Sequence, residues 1–153
     1  MTIIDGKKIS ADIKEEIKAE TELIKQKGVT PGLAVVLVGD NEASKVYVNS
    51  KERTCNQLGF YSEKYVLPEN TTMEELLNLI DKLNAKKEIN GILCQLPLPK
   101  HLDEKEVINR ISPLKDVDAF HPQNVGHIMI GDYSFLPCTP AGIVEMLDRT
   151  RIE

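Results

Sequence analysis

The chain has 153 residues, of which 41% are hydrophobic, 28% charged and 5% aromatic, with no Trp. That is a common size for a single domain, and folding at this length buries roughly 70% of the unfolded chain's surface, so no disulfide or metal staple is needed. Lys and Arg number 19 against 24 Asp and Glu, a net charge of −5. Such a balance suits neither nucleic acid nor an anionic membrane, and the apolar fraction excludes disorder by composition.

The opening residues, Met1-Thr2-Ile3-Ile4-Asp5-Gly6, lack the apolar core of a signal peptide. No apolar run approaches the ~18 residues of a membrane span. Cys55, Cys94 and Cys138 are scattered and odd in number, which resembles neither a disulfide framework nor a zinc site and suits a reducing compartment. The chain reads as soluble and cytoplasmic.

From Ser10 to Lys27, Ile13, Ile17 and Ile24 share one face among Lys and Glu, and Gly28 follows as a stop; this predicts an amphipathic helix. Leu33–Val38 is an unbroken apolar run, suited to a strand buried on both faces in a parallel sheet. A helix is predicted from Glu42 to Leu58, ended by Gly59, then a more polar strand from Phe60 to Leu67, nearer an edge. Thr72-Met73-Glu74-Glu75 is a capping box opening a helix through Leu76, Leu77, Ile80 and Leu83. Gly91–Leu96 is a short strand stopped by Pro97 and Pro99, and Asp103 caps a short helix through Val107, Ile108 and Ile111. Beyond Ser112-Pro113 the pattern is irregular until Thr139-Pro140, an N-cap and N1 pair that opens a last helix to about Arg149. Alternating strands and helices predict a three-layer α/β domain with a mostly parallel sheet and right-handed crossovers. The chain stops at Ile152-Glu153 directly after that helix, which reads as a cut.

In an open parallel sheet, ligands bind beyond the carboxyl ends of the strands. There, Ser44, Tyr47 and Lys51 recur at i, i+3 and i+7 on one helix face. Tyr47 offers a ring for stacking, and Lys51 an amine that accepts a proton near neutral pH if its surroundings are apolar. The plain alternative is a solvated Lys and a half-buried Tyr. Gln95, an amide at a strand end, either serves a site or satisfies its own loop. Asp116 and Asp118, two apart in an irregular segment, suit a cation, a ligand with adjacent N–H donors, or a simple turn. His121 and His127 lack a third ligand, so no metal is expected. Cys138 lies near a helix N-terminus but has no evident partner and reads as structural. Neither G-x-G-x-x-G nor G-x-x-x-x-G-K-[ST] occurs, so no phosphate-binding loop is recognisable.

Four segments in order carry a more specific signal: Val38-Gly39-Asp40-Asn41-x-Ala43-Ser44-x-x-Tyr47-Val48-x-x-Lys51, Gly91-Ile92-Leu93-Cys94-Gln95-Leu96-Pro97-Leu98-Pro99, Lys115-Asp116-Val117-Asp118, and Pro137-Cys138-Thr139-Pro140-Ala141-Gly142. Together they closely resemble the amino-terminal half of the bifunctional methylenetetrahydrofolate dehydrogenase/cyclohydrolase family. The resemblance spans nearly the whole chain. It implies NADP-dependent oxidation of 5,10-methylenetetrahydrofolate to the methenyl form and hydrolysis of that form to 10-formyltetrahydrofolate, within one-carbon metabolism and purine biosynthesis. Lys51 would be the catalytic lysine, oriented or tuned by Gln95. Tyr47 would stack on the folate, Asp118 would take the paired N–H donors of the pterin edge, and Leu96 would complete the folate-binding set.

Two departures stand out. The family usually carries Gly where this chain has Ala119. Family chains also continue into a Rossmann-type NADP domain and return through a final helix, and this sequence contains neither. Residues 1–138 are therefore expected to form the folate-binding catalytic domain, and residues 139–153 the start of a helix connecting to the cofactor domain. No cofactor site is expected in this chain. The resemblance implies a homodimer through the cofactor domain and suits a monomeric fragment. The competing readings are a non-catalytic folate-binding or pairing half-domain, and a flavodoxin-like regulatory domain with a cation at Asp116 and Asp118.

Overall fold

The computed structural model describes residues 3–150. Three parallel strands, β1 (Gly32–Val38), β2 (Tyr61–Leu67) and β3 (Gly91–Cys94), lie in the order β2-β1-β3. Helices α1 (Gly6–Gln26), α2 (Glu42–Leu58), α3 (Met73–Ala85), α4 (Glu104–Arg110), α5 (Pro122–Ile130) and α6 (Cys138–Thr150) surround them. No helix of the described residues is long and apolar enough to cross a membrane.

β1 is central, which is why it is apolar without alternation: side chains from Ala34 to Val38 are buried on both faces. β2 is an edge strand with no fully buried residue, as its polarity predicts. The crossover through α2 runs from β1 to β2, and that through α3 runs back past β1 to β3. Right-handed connections travelling in opposite directions put their helices on opposite faces of the sheet. Accordingly, Val35 and Leu37 pack with Val48 of α2, while Ala34, Val36 and Val38 pack with Leu76, Ile80 and Leu83 of α3.

The stop at Gly59 and the caps at Thr72 and Asp103 operate as read, and α2 has a further cap that the sequence reading did not name. Asn41 accepts from Ser44 N–H at 3.0 Å to start α2, and Gly59 ends it at φ 78°. Thr72 and Glu75 form the reciprocal capping box of α3, and Asp103 caps α4. Three expectations need correction. Helix α1 begins at Gly6, four residues before Ser10, because Asp5 accepts from Lys8 N–H and acts as N-cap. Only Ile9 and Thr21 of this helix are buried, with Ile24 exposed, so α1 is an outer helix lying against α2. The stretch expected to be irregular contains α5, whose N-cap is the ring of His121 accepting from Gln123 N–H at 3.1 Å; Pro122 fills N1 and Gly131 ends the helix at φ 78°. Finally, α6 starts at Cys138, so Thr139 lies inside its first turn. Pro140 is tolerated there because first-turn N–H groups have no intrahelical acceptor.

Candidate active site

Lys51 projects from the middle of α2 and its Nζ donates to Oε1 of Gln95 at 2.9 Å. Gln95 is the first residue past β3, and its backbone N–H still donates to Val36 O at 2.8 Å, fixing its Cα to the sheet. Its Nε2 donates to Leu96 O at 2.7 Å. With the amide nitrogen so engaged, the oxygen is the atom turned to Lys51. An amide oxygen only accepts, so the amine commits one N–H to this contact and its other positions stay available.

Asp118 lies in the loop between α4 and α5. Burial pushes its carboxyl above the ordinary carboxylate range; the Lys51 charge pulls it down, and Asp116 pushes it further up. Lys51 and Asp118 line one cavity of about 550 Å³, otherwise walled mainly by apolar groups such as Leu33, Leu93, Val117 and Phe60. Such a space suits a flat, mostly apolar ring system addressed by a few polar groups.

Each residue of the Lys115–Asp118 run has a separate task. Lys115 Nζ donates to Leu83 O at 3.1 Å and Lys86 O at 2.8 Å, covering the carbonyl end of α3. Asp116 is buried, and its Oδ2 accepts from His121 N–H and Asn124 Nδ2. Val117 packs against β3 at Gly91, where a Cβ would come within 2.5 Å of its Cγ1. Of the two carboxylates, only Asp118 lines the cavity. The two carboxylates therefore do not act as a pair, which removes the basis for a cation between them; among the described residues no group of three His, Cys, Asp or Glu could hold a metal.

Of the other candidates, Tyr47 lies one turn before Lys51 on α2 and is 63% exposed. Ser44 is buried instead of sharing that open face. Leu96 is partly buried, with its side chain against the α3–α4 core and its carbonyl tied to Gln95. Tyr47, Gln95 and Leu96 lie outside the cavity lining. Burial pushes the Cys94 thiol up to about 12, which removes it as a nucleophile. Cys138, read as structural, is exposed and lines the cavity beside Phe135. Sequence reasoning missed Asn124, which is buried and ties the Asp116 loop to α5.

The description of the tetrahydrofolate dehydrogenase/cyclohydrolase catalytic domain matches residues 4–118. The chain belongs to that family. It is 55% identical over 151 residues to the bifunctional protein FolD of Acetivibrio thermocellus, covering 99% of this chain and 53% of that one. The FolD of Methanococcoides burtonii is 50% identical over 152 residues, with the same shares covered. The crystal structure of the bifunctional enzyme FolD from Campylobacter jejuni superposes with a TM-score of 0.96 at 49% identity, covering 99% of this chain and 54% of that chain. The Trypanosoma brucei N5,N10-methylenetetrahydrofolate dehydrogenase-cyclohydrolase, solved with NADP cofactor and inhibitor, does so with 0.94 at 33% identity, covering 99% and 52%. The chain spans about half the length of the curated relatives it matches.

Proposed function

We propose that Lys51, Gln95, Asp118, Tyr47 and Leu96 form the folate side of a methylenetetrahydrofolate dehydrogenase/cyclohydrolase site. The observation that carries this reading is the 2.9 Å Lys51–Gln95 bond, with Lys51 and Asp118 on one largely apolar cavity. Asp118 accepts the adjacent N–H donors of the pterin edge. The exposed ring of Tyr47 closes over the folate from outside, and Leu96 adds an apolar contact at its margin.

In the hydrolytic step, water attacks the cationic methenyl carbon and Lys51 serves as the general base that takes the departing proton. The hydroxyl now on that carbon then gives up its proton as the bond to N5 breaks, N5 takes up one proton, and the formyl group remains on N10, with one proton released to solvent overall. Gln95 orients the amine by accepting its N–H.

In the whole-length protein the same folate pocket serves NADP-dependent oxidation of the methylene to the methenyl form. The described residues do not fit the cofactor's pyrophosphate. The turn after β1 carries the carboxylates of Asp40 and Glu42, both paired with Lys45, and the sequence has no glycine-rich phosphate loop. NADP binding, and with it the homodimer, is assigned to the other half of the protein. This chain then acts as a monomeric folate-binding unit to residue 138, with α6 as the connecting helix. Its three unpaired cysteines suit the cytoplasm.

The test is methenyltetrahydrofolate hydrolysis followed spectroscopically without NADP, for this chain and for Lys51→Ala, together with tetrahydrofolate binding. The expected result is acceleration that falls about 100-fold or more in the variant. Binding without acceleration would leave a folate-capturing half-domain, and the absence of both would overturn the reading.

A further inference from the structure

We propose that Asn124 is a positioning residue that sets the place of Asp118 in the cavity, acting through Asp116. This rests on the reading of Asp118 as the folate-facing carboxylate.

The segment from Pro113 to Ala119 has little regular structure to hold it. It makes one parallel bridge, Ile92 to Asp116, with Ile92 N–H donating to Lys115 O at 2.7 Å. Lys115 anchors one side to the end of α3. The other side is held by the side-chain amide of Asn124 together with the backbone N–H of His121. Asn124, in the first turn of α5 and 8% exposed, donates from Nδ2 to Pro113 O and to Asp116 Oδ2, both at 2.9 Å.

The two acceptors lie three residues apart and bracket the loop, so one NH2 group spans it. The amide orientation follows from its partners: turned over, its oxygen would face a carbonyl and a carboxylate. Asp116 Oδ2 also accepts from His121 N–H at 2.8 Å, which fastens the same carboxylate to the N-cap of α5. Two residues beyond Asp116 the chain presents Asp118, and at Ala119 it turns through φ 56°.

Asn124 does not line the cavity that holds Lys51 and Asp118; it borders a separate depression of about 200 Å³ with Pro113 and His127. Any influence on Asp118 therefore runs through the backbone from 113 to 118. No other residue type of this size both donates twice and leaves no net charge beside Asp116. Aspartate would set two carboxylates against each other, and leucine would leave Pro113 O and Asp116 without their donor.

The experiment follows the titration of the Asp118 carboxyl by its carbon-13 resonance in the wild-type chain, Asn124→Ala and Asn124→Ser, with folding checked by circular dichroism. Serine retains a donor but cannot span both acceptors, and covers the case in which alanine unfolds the chain. With the loop released, Asp118 gains solvent, and its midpoint is expected to fall toward the ordinary carboxylate value. A folded variant with an unchanged Asp118 titration would overturn the inference and leave Asn124 a purely structural residue. Asp118→Asn is assayed in parallel for tetrahydrofolate affinity. If that affinity is unaltered while Asn124→Ala still moves the titration, the positioning stands and the folate role of Asp118 falls.

Discussion

Val36 and Leu37 are neighbours on β1 and both are almost fully buried, yet they face halves of the molecule built for different ends. On the Val36 side, α3 and α4 close a core of thirteen buried residues. On the Leu37 side only four buried residues cluster among the described residues, and the remaining area opens into the cavity that holds Lys51 and Asp118. Burial is what stabilises a fold, at roughly 25 cal/mol per Å² of apolar surface, so most of this domain's stability resides on the closed face. The open face keeps a half-buried carboxylate and an amine that a stability-optimised surface would discard.

The division breaks most visibly under truncation. Leu76, on α3, is fully buried in the closed core. Leu76→Ala should lower unfolding free energy by about 2–5 kcal/mol. Lys51→Ala, the variant proposed above to abolish hydrolysis, should change it by only about 0.5 kcal/mol, since its side chain is partly exposed and makes one hydrogen bond. Urea unfolding of both variants checks this, and equal losses would mean that the open face is not the functional extreme argued here.

Acid separates the open face from the sheet edge more finely. Because the folded protein raises the carboxyl of Asp118, it binds that proton at a higher pH than the unfolded chain does. Stability therefore falls as pH rises through the window between the unfolded and folded values, and ionised Asp118 is a cost at neutral pH. Asp118→Asn should raise the melting temperature at neutral pH, with the gain disappearing once pH drops below the ordinary carboxylate value, and should weaken folate binding. On β2, Glu63 behaves oppositely. Lys86, Tyr61 and Tyr65 all donate to it and hold its carboxyl down at about 2. Its contribution is present above the ordinary value and is lost as pH falls toward about 2. Glu63→Gln should thus lower the melting temperature at neutral pH and converge with the wild type in strong acid. Two melting series against pH with slopes of the same sign would contradict this contrast.

Legibility in the sequence followed the range of the interactions. Helix α2 was readable from Glu42 to Leu58 because Gly59 ends it locally, and α3 because its capping box is a four-residue signal. β1 was readable because a central strand needs no alternation. Helix α5 was missed because its cap is a histidine, although Pro122 at its start and Gly131 past its end were available as signals. In the site, the i, i+3, i+7 spacing aligned Tyr47 and Lys51 but could not tell that Ser44 turns inward. Nor could it tell which of Asp116 and Asp118 faces the cavity, since that depends on Asn124 and His121 from the next element. Gln95 was found at a strand end, but its bond to Lys51 spans 44 positions and only the fold brings the two together.

The smallest expected effect tests whether the departure at Ala119 disturbs the open face. Ala119 is buried and sits at φ 56°, the left-handed region, where an L-residue costs roughly 1–2 kcal/mol over glycine. Glycine would remove that strain, but it raises the conformational entropy lost on folding by about 0.5–1 kcal/mol. It also gives up a buried methyl, about 0.8 kcal/mol. The contributions nearly cancel, so Ala119→Gly should alter stability by no more than about 1 kcal/mol. Glycine adopts the same φ without distortion, and the loop on the other side of Asp118 is fixed by Asn124, so tetrahydrofolate affinity should stay within about threefold. A gain of about tenfold with unchanged stability would mean that the alanine methyl, and not the Asn124 latch, governs where Asp118 points.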